Sequence, residues 1–337
     1  MKIQENIFLS KYTTFKIGGS AKYFLVAKTV QDLKQALSFA KQNSLQVFIL
    51  GGGSNLLVSD DGFDGVVIKM EIKGIVFNDE RDGVIKVSVG AGEGWDNFVK
   101  QTVEKNLIGL ENLSLIPGTV GASVVQNIGA FGVEVGNIVS EVEVFDKKTL
   151  TIKKINNSQC DFDYRSSLFK TKLGSDLIVI KVVYDLRKEG KLNYSYPEMK
   201  KRLENRDINV QSIRDTVIQI RKERYPNPQD LGSAGCFFKN PIISQDQFNQ
   251  IKEKYSELPF YKLPKGKVKI PVAWLIDEFG WKGCKKNKVG VYKKHSLILI
   301  NYGGGTSKEI KKLANEISKD IFLKTNLNIF YEVVFLK

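Results

Sequence analysis

Apolar and polar positions recur along this chain with two different periods, and the switches between them mark its elements. YFLVA (23–27) is a short apolar run and predicts a strand. TVQDLKQALSFAKQN follows with apolar residues three and four apart, the spacing of an amphipathic helix, and Thr29 and Asp32 are spaced as a capping box. VFIL (47–50) predicts a second strand, so the first block is mixed. From about residue 65 to about 185 the pattern turns strand-rich, through GVVIKM, VIKVSVGAG, EVEVF, LTIKKI and LIVIKVVYDL. DKKT turns EVEVF back onto LTIKKI as a hairpin, and one helix, GWDNFVKQTVEKNL, interrupts the block. SIRDTVIQIRKERYP then restores the helical period, with Ser212 and Asp215 as another capping box. A third block holds a strand at GCFFK, a helix at SQDQFNQIKEKY, a short helix near PVAWLIDEFG, a strand at HSLILIN and a long helix from Thr306. IFYEVVFLK closes the chain as a strand. The order of elements predicts an α+β protein in three blocks, without internal repeats.

Composition narrows the function classes. A chain of 337 residues, 42% hydrophobic and 26% charged, has material for two or three globular domains. MKIQENIFLSKY is too polar for a signal peptide, and no apolar stretch approaches the roughly 18 residues of a membrane helix. A cytoplasmic protein without membrane partners is expected. Three widely spaced cysteines (Cys160, Cys236, Cys284) suit neither a disulfide framework nor a zinc site. With His295 the only histidine, Ser-His-Asp catalysis and histidine-rich metal sites are set aside, and no metal is expected. The net charge of +14 is spread over stretches such as SKEIKKLANEISKD, where lysines alternate with acids as on a solvated helix face. No arginine–aromatic stripe accompanies it, so nucleic acid is not the expected partner; small anions drawn by a positive field are.

Two stretches suggest what those anions are. In LGGGSNLL (50–57), three glycines directly after an apolar strand allow positive φ and turn N–H groups toward one point, an anion nest suited to phosphate. No Gly-Lys-Ser/Thr follows, and LLVS reads as a strand, so the stretch is neither a Walker loop nor a Rossmann turn. A plain glycine turn is the simpler alternative. IPGTVGASVVQNIGAFGVEVG (116–136) is a second glycine-rich stretch of little regular periodicity, too apolar to be disordered. Two such stretches predict a large phosphate-bearing cofactor. Elsewhere, Cys236 in LGSAGCFFKNP is either a core thiol or a reactive one. Glu332 interrupts the apolar IFYEVVFL, where a carboxylate must be paired, functional or turned to solvent.

Taken in order, LGGGSNLL, ENLSLIPGTVGASVVQNIGAFGVE, YRSSLFK, GCFFKNP and YEVVF resemble the UDP-N-acetylenolpyruvoylglucosamine reductase family over essentially the whole chain. The YSYPEM segment is similar to the subclass with a tyrosine-bearing loop that folds over substrate. The resemblance implies a two-lobed FAD-binding domain of the vanillyl-alcohol-oxidase type and a separate α+β substrate-binding domain. Lobe one would be 1–67 with 326–337 returning to it, lobe two 68–225, and the substrate domain 226–325. It implies FAD held non-covalently, NADPH as hydride donor, and reduction of UDP-N-acetylglucosamine enolpyruvate to UDP-N-acetylmuramate for peptidoglycan precursors, by a monomer acting on small molecules only.

By the same resemblance Gly51, Gly52, Gly53, Ser54, Asn55 and Leu56 would hold the pyrophosphate. Pro117, Gly118, Thr119, Gly121, Gln126, Asn127 and Gly129 would line the flavin, and Thr14 and Phe15 of TTFKIGG would border it. Arg165 would stabilise the charge that builds toward the substrate carboxylate, a contribution of about 3 kcal/mol in a dry site. Cys236 stands where the family usually has a serine that donates a proton to the substrate α-carbon. A thiol, with a reference pKa near about 8.5, keeps its proton at neutral pH and can serve. Glu332 would be the third catalytic residue. Tyr196, Arg224 and Asn240 would bind the UDP diphosphate, with Tyr194 open as an alternative to Tyr196. A sugar or lactone oxidase on the same flavin fold is the alternative reading. Many of those tether FAD through a histidine in the N-terminal lobe, which this chain lacks. Acid precipitation separates the two: the flavin is expected in the supernatant, and flavin in the protein pellet would favour the oxidase.

Overall fold

The structure, a computed structural model, describes residues 2–337. The chain folds into two compact units. The first comprises the chain up to Ile7, Ala21–Gly52 and Asp64–Lys222; the second comprises Phe8–Ser20, Gly53–Phe63 and Glu223–Lys337. Helices are named in chain order: α1 Val30–Gln42, α2 Trp95–Glu104, α3 Val120–Gln126, α4 Pro197–Leu203, α5 Val210–Arg224, α6 Gln245–Lys254, α7 Val272–Glu278 and α8 Ser307–Thr325.

The first unit carries two sheets. One runs Gln4–Phe8, Ser20–Ala27, Phe63–Met70 and Gln46–Leu50, with the last two strands parallel. The other is antiparallel, in the order Thr151–Asn156, Val139–Asp146, Leu177–Arg187, Val84–Gly90, Ile75–Phe77. One continuous core joins their buried faces, and at its centre Trp95, Phe98 and Tyr184 pack ring to ring, the last two 5.0 Å apart. The long central strand Leu177–Arg187 is nearly all apolar because it is covered on both faces. The DKKT hairpin forms as expected. Its Asp146 accepts from Lys153 Nζ at 2.6 Å and from the N–H groups of Lys148 and Thr149, and these hold its carboxyl down at about 2. Burial pushes the Cys160 thiol up to about 12, so it is an inert core residue.

The second unit has a sheet ordered Gly232–Cys236, Ile298–Asn301, Val289–Val291, Lys285–Lys286, and a small one of Ile242–Ser244, Lys267–Lys269 and Tyr261–Leu263. Leu56–Val58 pairs in parallel with Val334–Leu336. Its core centres on Phe237, fully buried among Phe15, Phe238, Tyr331 and Phe335. Among the described residues no helix is long and apolar enough to cross a membrane.

Three expectations are corrected. The helix expected at SIRDTV begins at Val210, and its first turn is closed reciprocally by Asn209 and Ser212 (2.9 and 3.0 Å) rather than by Ser212 with Asp215. The 116–136 stretch contains the seven-residue helix α3 and a small hairpin, Gly129–Ala130 with Val133–Glu134; glycines and alanine hid the helical period. The terminal strand spans only Val334–Leu336, because the preceding residues bond to a different partner, described below.

The cap at Thr29 forms as its spacing indicates, and Ser244 and Thr306 close their helices with further capping boxes. Thr306 Oγ1 accepts from the Glu309 N–H at 3.1 Å and Glu309 returns a bond at 2.9 Å. Thr306→Ala is expected to cost about 1 kcal/mol, seen as a lower urea midpoint at unchanged slope.

Candidate active site

The first glycine loop leaves the strand Gln46–Leu50 and turns before Leu56–Val58. Gly53 has φ +64°, and a side chain there would meet the Tyr12 carbonyl at 2.1 Å. At Gly52 a Cβ would stand 2.6 Å from Gly118 Cα, so the two glycine-rich stretches touch backbone to backbone. The bonds made at this loop engage its carbonyls: Gly53 O accepts from the Thr14 N–H (3.1 Å), Asn55 O from the Val334 N–H (3.0 Å) and Gly51 O from Lys69 Nζ. Among the described residues no backbone carbonyl accepts from the N–H groups of Gly52 and Gly53, as an anion nest requires.

The second stretch is laced to the start of α2. The Trp95 N–H donates to Gly118 O (3.1 Å), Val120 N–H to Glu93 O (2.9 Å) and Gly121 N–H to Ala91 O (2.9 Å). Thr119 Oγ1 is buried with no hydrogen-bond partner among the described residues, 2.7 Å from where a side chain on Gly51 would begin. An orphaned hydroxyl beside two backbones pressed together fits a large phosphate-bearing ligand such as a dinucleotide. At the end of α3, Asn127 is left-handed (φ +45°) and 1% exposed. Its amide donates to Asp163 O (2.9 Å) and Glu134 Oε2 (3.2 Å) and accepts from the Gly136 N–H (3.0 Å). Asn127 is thus wholly occupied in shaping the stretch.

Arg165 lies on this same stretch. Its guanidinium donates to Gly129 O (2.9 Å) and Asn127 O (3.4 Å), and its backbone is left-handed at φ +53°. That conformation costs a non-glycine residue about 1–2 kcal/mol and is met at functional sites. Lys170 holds it: Nζ donates to Arg165 O (3.1 Å) and to Gln126 Oε1 (2.7 Å). Nearby, Tyr196 packs edge-on to Phe131 (5.3 Å), and Tyr194 joins it against a cluster of Met199, Leu203, Ile213, Val217 and Ile220 from α4 and α5.

In the second unit, Cys236 ends the strand Gly232–Cys236 just after a bulge, since the register against Ile298–Asn301 slips between Ser233 and Cys236. Gly235 there has φ +70° with open space at its missing side chain. A bulge re-aims the side chain that follows it, and here that side chain is the half-buried thiol. The next residue, Phe237, takes its N–H to Leu297 O (2.7 Å) and accepts from the Glu332 N–H (2.8 Å), and Phe238 bridges Tyr331. This pairing draws Glu332 beside the Cys236 segment and interrupts the terminal strand. Asn55 Nδ2 donates to Glu332 O at 3.2 Å. Leu56 is buried in the parallel pair. Asn240 Oδ1 caps α7 through the Val272 N–H (3.0 Å), and Arg224 is exposed at the end of α5. Thr14 Oγ1 bonds Ser233 O (2.6 Å), whereas Phe15 is fully enclosed against Phe237 and contributes packing.

Several residues that hold this geometry carry weak sequence signals. Lys69 is the one charge in the apolar strand GVVIKM; burial lowers its pKa, and it grips the Gly51 carbonyl. Lys170 sits within YRSSLFK without a distinguishing context. Asn112, fully buried, donates to both Phe131 O (3.0 Å) and Asn193 O (2.8 Å), and only its polarity amid ENLSLI hinted at it.

Comparison with known proteins decides what this geometry serves. A model described as a FAD binding domain matches residues 21–153, and one described as the UDP-N-acetylenolpyruvoylglucosamine reductase C-terminal domain matches 227–336. The reductase of that name from Amoebophilus asiaticus is 42% identical over 324 residues, 95% of each chain. That of Flavobacterium johnsoniae is 39% identical over 99% of each. The chain belongs to the UDP-N-acetylenolpyruvoylglucosamine reductase family. The crystal structure of the Thermus caldophilus reductase covers 100% of both chains at a TM-score of 0.70 and 24% identity, which bears on the fold. As a member of the UDP-N-acetylenolpyruvoylglucosamine reductase family, this protein is an FAD-dependent oxidoreductase of peptidoglycan synthesis that uses NADPH, and the expected α+β architecture with a FAD-binding domain and a family-specific C-terminal domain holds.

Gly52→Ala is expected to push the two glycine stretches apart. It should weaken FAD binding at least tenfold, measured by flavin retained after gel filtration, while destabilising the fold by about 1–3 kcal/mol.

Proposed function

We propose that Arg165, Cys236 and Glu332 are the catalytic residues for reducing UDP-N-acetylglucosamine enolpyruvate to UDP-N-acetylmuramate. The observation that carries this reading is the docking of the Arg165 guanidinium on the carbonyls of Asn127 and Gly129, in the stretch that also presents Gly118 and Thr119. Gly51 to Leu56 would hold the pyrophosphate of FAD, and Pro117, Gly118, Thr119, Gly121, Gln126, Asn127 and Gly129 would shape the flavin's surroundings. Bound FAD, non-covalent and reduced by NADPH, supplies the hydride that goes to the vinyl carbon.

The chain's own groups handle charge and protons. A guanidinium pinned by two carbonyls keeps its remaining plane oriented, so Arg165 stabilises negative charge developing toward the substrate carboxylate without reorganising. Cys236 carries a proton on Sγ and passes it to the adjacent α-carbon. Glu332, its backbone tied to Phe237 and Asn55, stabilises or helps protonate the enol form. Tyr196, Arg224 and Asn240 bind the UDP diphosphate, Arg224 through a planar fork suited to phosphate. Tyr194, which shares the cluster on which Tyr196 packs, is the alternative contact. With these roles go a functional division into lobes 1–67 (with 326–337) and 68–225 and a substrate domain 226–325, and action as a cytoplasmic monomer on small molecules. The YSYPEM segment would be the tyrosine-bearing substrate loop.

Anaerobic mixing tests the assignment. Cys236→Ala should leave flavin bleaching by NADPH within about twofold and slow reoxidation by substrate by about 10²–10⁴, the usual contribution of a general acid. Cys236→Ser should restore most of it. Normal reoxidation in the alanine variant would remove Cys236 from the mechanism.

A further inference from the structure

Leu115 immediately precedes the Ile116–Thr119 stretch and is left-handed, with φ +57°. A leucine does not hold that conformation unaided, because its Cβ crowds the following carbonyl. Both of its backbone polar groups are taken by charged side chains. The Leu115 N–H donates to Asp96 Oδ1 at 2.5 Å, and its carbonyl accepts from Arg221 Nε at 3.1 Å. Asp96, in the first turn of α2, is fixed in turn by a two-pronged pair with Arg214 of α5 (2.8 and 3.0 Å). Arg214 and Arg221 are 6% and 9% exposed. Burial works against the Asp96 charge, but the bonds from Arg214 and the Leu115 N–H outweigh it and lower its pKa. The arrangement therefore holds as a set of charges.

We infer that Asp96, Arg214 and Arg221 are positioning residues for the cofactor: they hold Leu115 left-handed and thereby set the Gly118 backbone against Gly52. The inference rests on the reading of those two stretches as the FAD cradle. Neither arginine needs to touch the ligand; the work is done through one peptide on each side of Leu115. The next residues inherit the direction, since Trp95, directly before Asp96, is the residue whose N–H binds Gly118 O. α2 thus grips the stretch at residue 115 by a side chain and at residue 118 by its backbone.

A glycine at 115 would adopt the same φ without the clamp, and this supplies a test that simple loss of structure would not pass. FAD dissociation constants are measured by diluting the holoenzyme and following released-flavin fluorescence, and stability by urea unfolding at saturating FAD. Asp96→Asn is expected to weaken FAD about tenfold or more and to lower the urea midpoint, because Arg214 loses its buried partner. Leu115→Gly alone should stay within about threefold of the parent. The double variant D96N/L115G should recover FAD affinity to within about threefold while its urea midpoint stays low. Should D96N not fold, Arg221→Met, which leaves the Asp96–Arg214 pair intact, takes its place with the same rescue expected. Unchanged FAD affinity in D96N, or no rescue by glycine, would overturn the clamp. A parent protein that binds no FAD would overturn the cofactor reading together with it.

Discussion

The contact on which the first unit's site depends is that of Gly52 against Gly118, two backbones closer than any side chain would allow. Close backbone approach concentrates peptide dipoles in one place, and a side chain on Gly52 would separate them. That approach sets the Thr119 hydroxyl 2.7 Å from where a side chain on Gly51 would begin. A dinucleotide, with its phosphates and large flat ring, is the kind of ligand that repays such a surface.

The approach is maintained against local backbone preference. Leu115, Phe131 and Arg165 are left-handed without being glycine or asparagine, a cost of about 1–2 kcal/mol each. In each case a polar side chain from elsewhere in the unit binds the strained residue's own peptide: Asp96 and Arg221 at Leu115, Asn112 at the Phe131 carbonyl, and Lys170 at the Arg165 carbonyl. Polar side chains in this unit, most of them buried, therefore do more than satisfy one another; they offset backbone strain where the chain bends around the site. Their partners are carbonyls and N–H groups, which any residue type carries, so neither end of such a bond is conspicuous in the chain.

The second unit uses a different device. A bulge at Ala234–Gly235 shifts the register at which Cys236 rejoins the ladder, opposite Ile298, and a short crossing of 237–239 with 330–332 brings Glu332 to the neighbouring residue. Both effects come from breaking regular strands rather than extending them, which is why only Gly235 and Cys236 of GCFFK lie in a strand and IFYEVVFLK is a strand only over Val334–Leu336.

Much of the fold was legible because it obeys local rules. The cap at Thr29, the DKKT hairpin and the period-two strands each depend on residues within a few positions of one another. The family-bearing stretches were legible too, since glycine at 51–53 and 118 is a backbone requirement visible in composition. α3 was not, because its small residues give no amphipathic stripe, and neither was the Asn209 cap of α5, which competed with an equally spaced pair. What only the tertiary structure decided is which distant groups stabilise the bends: Asp96 is 19 residues from Leu115 and Arg221 is 106 residues from it. Sequence patterns record periods of two and 3.6 residues and short caps. A hydrogen bond to a peptide a hundred residues away leaves no period, so its existence had to wait for the fold that closes the distance.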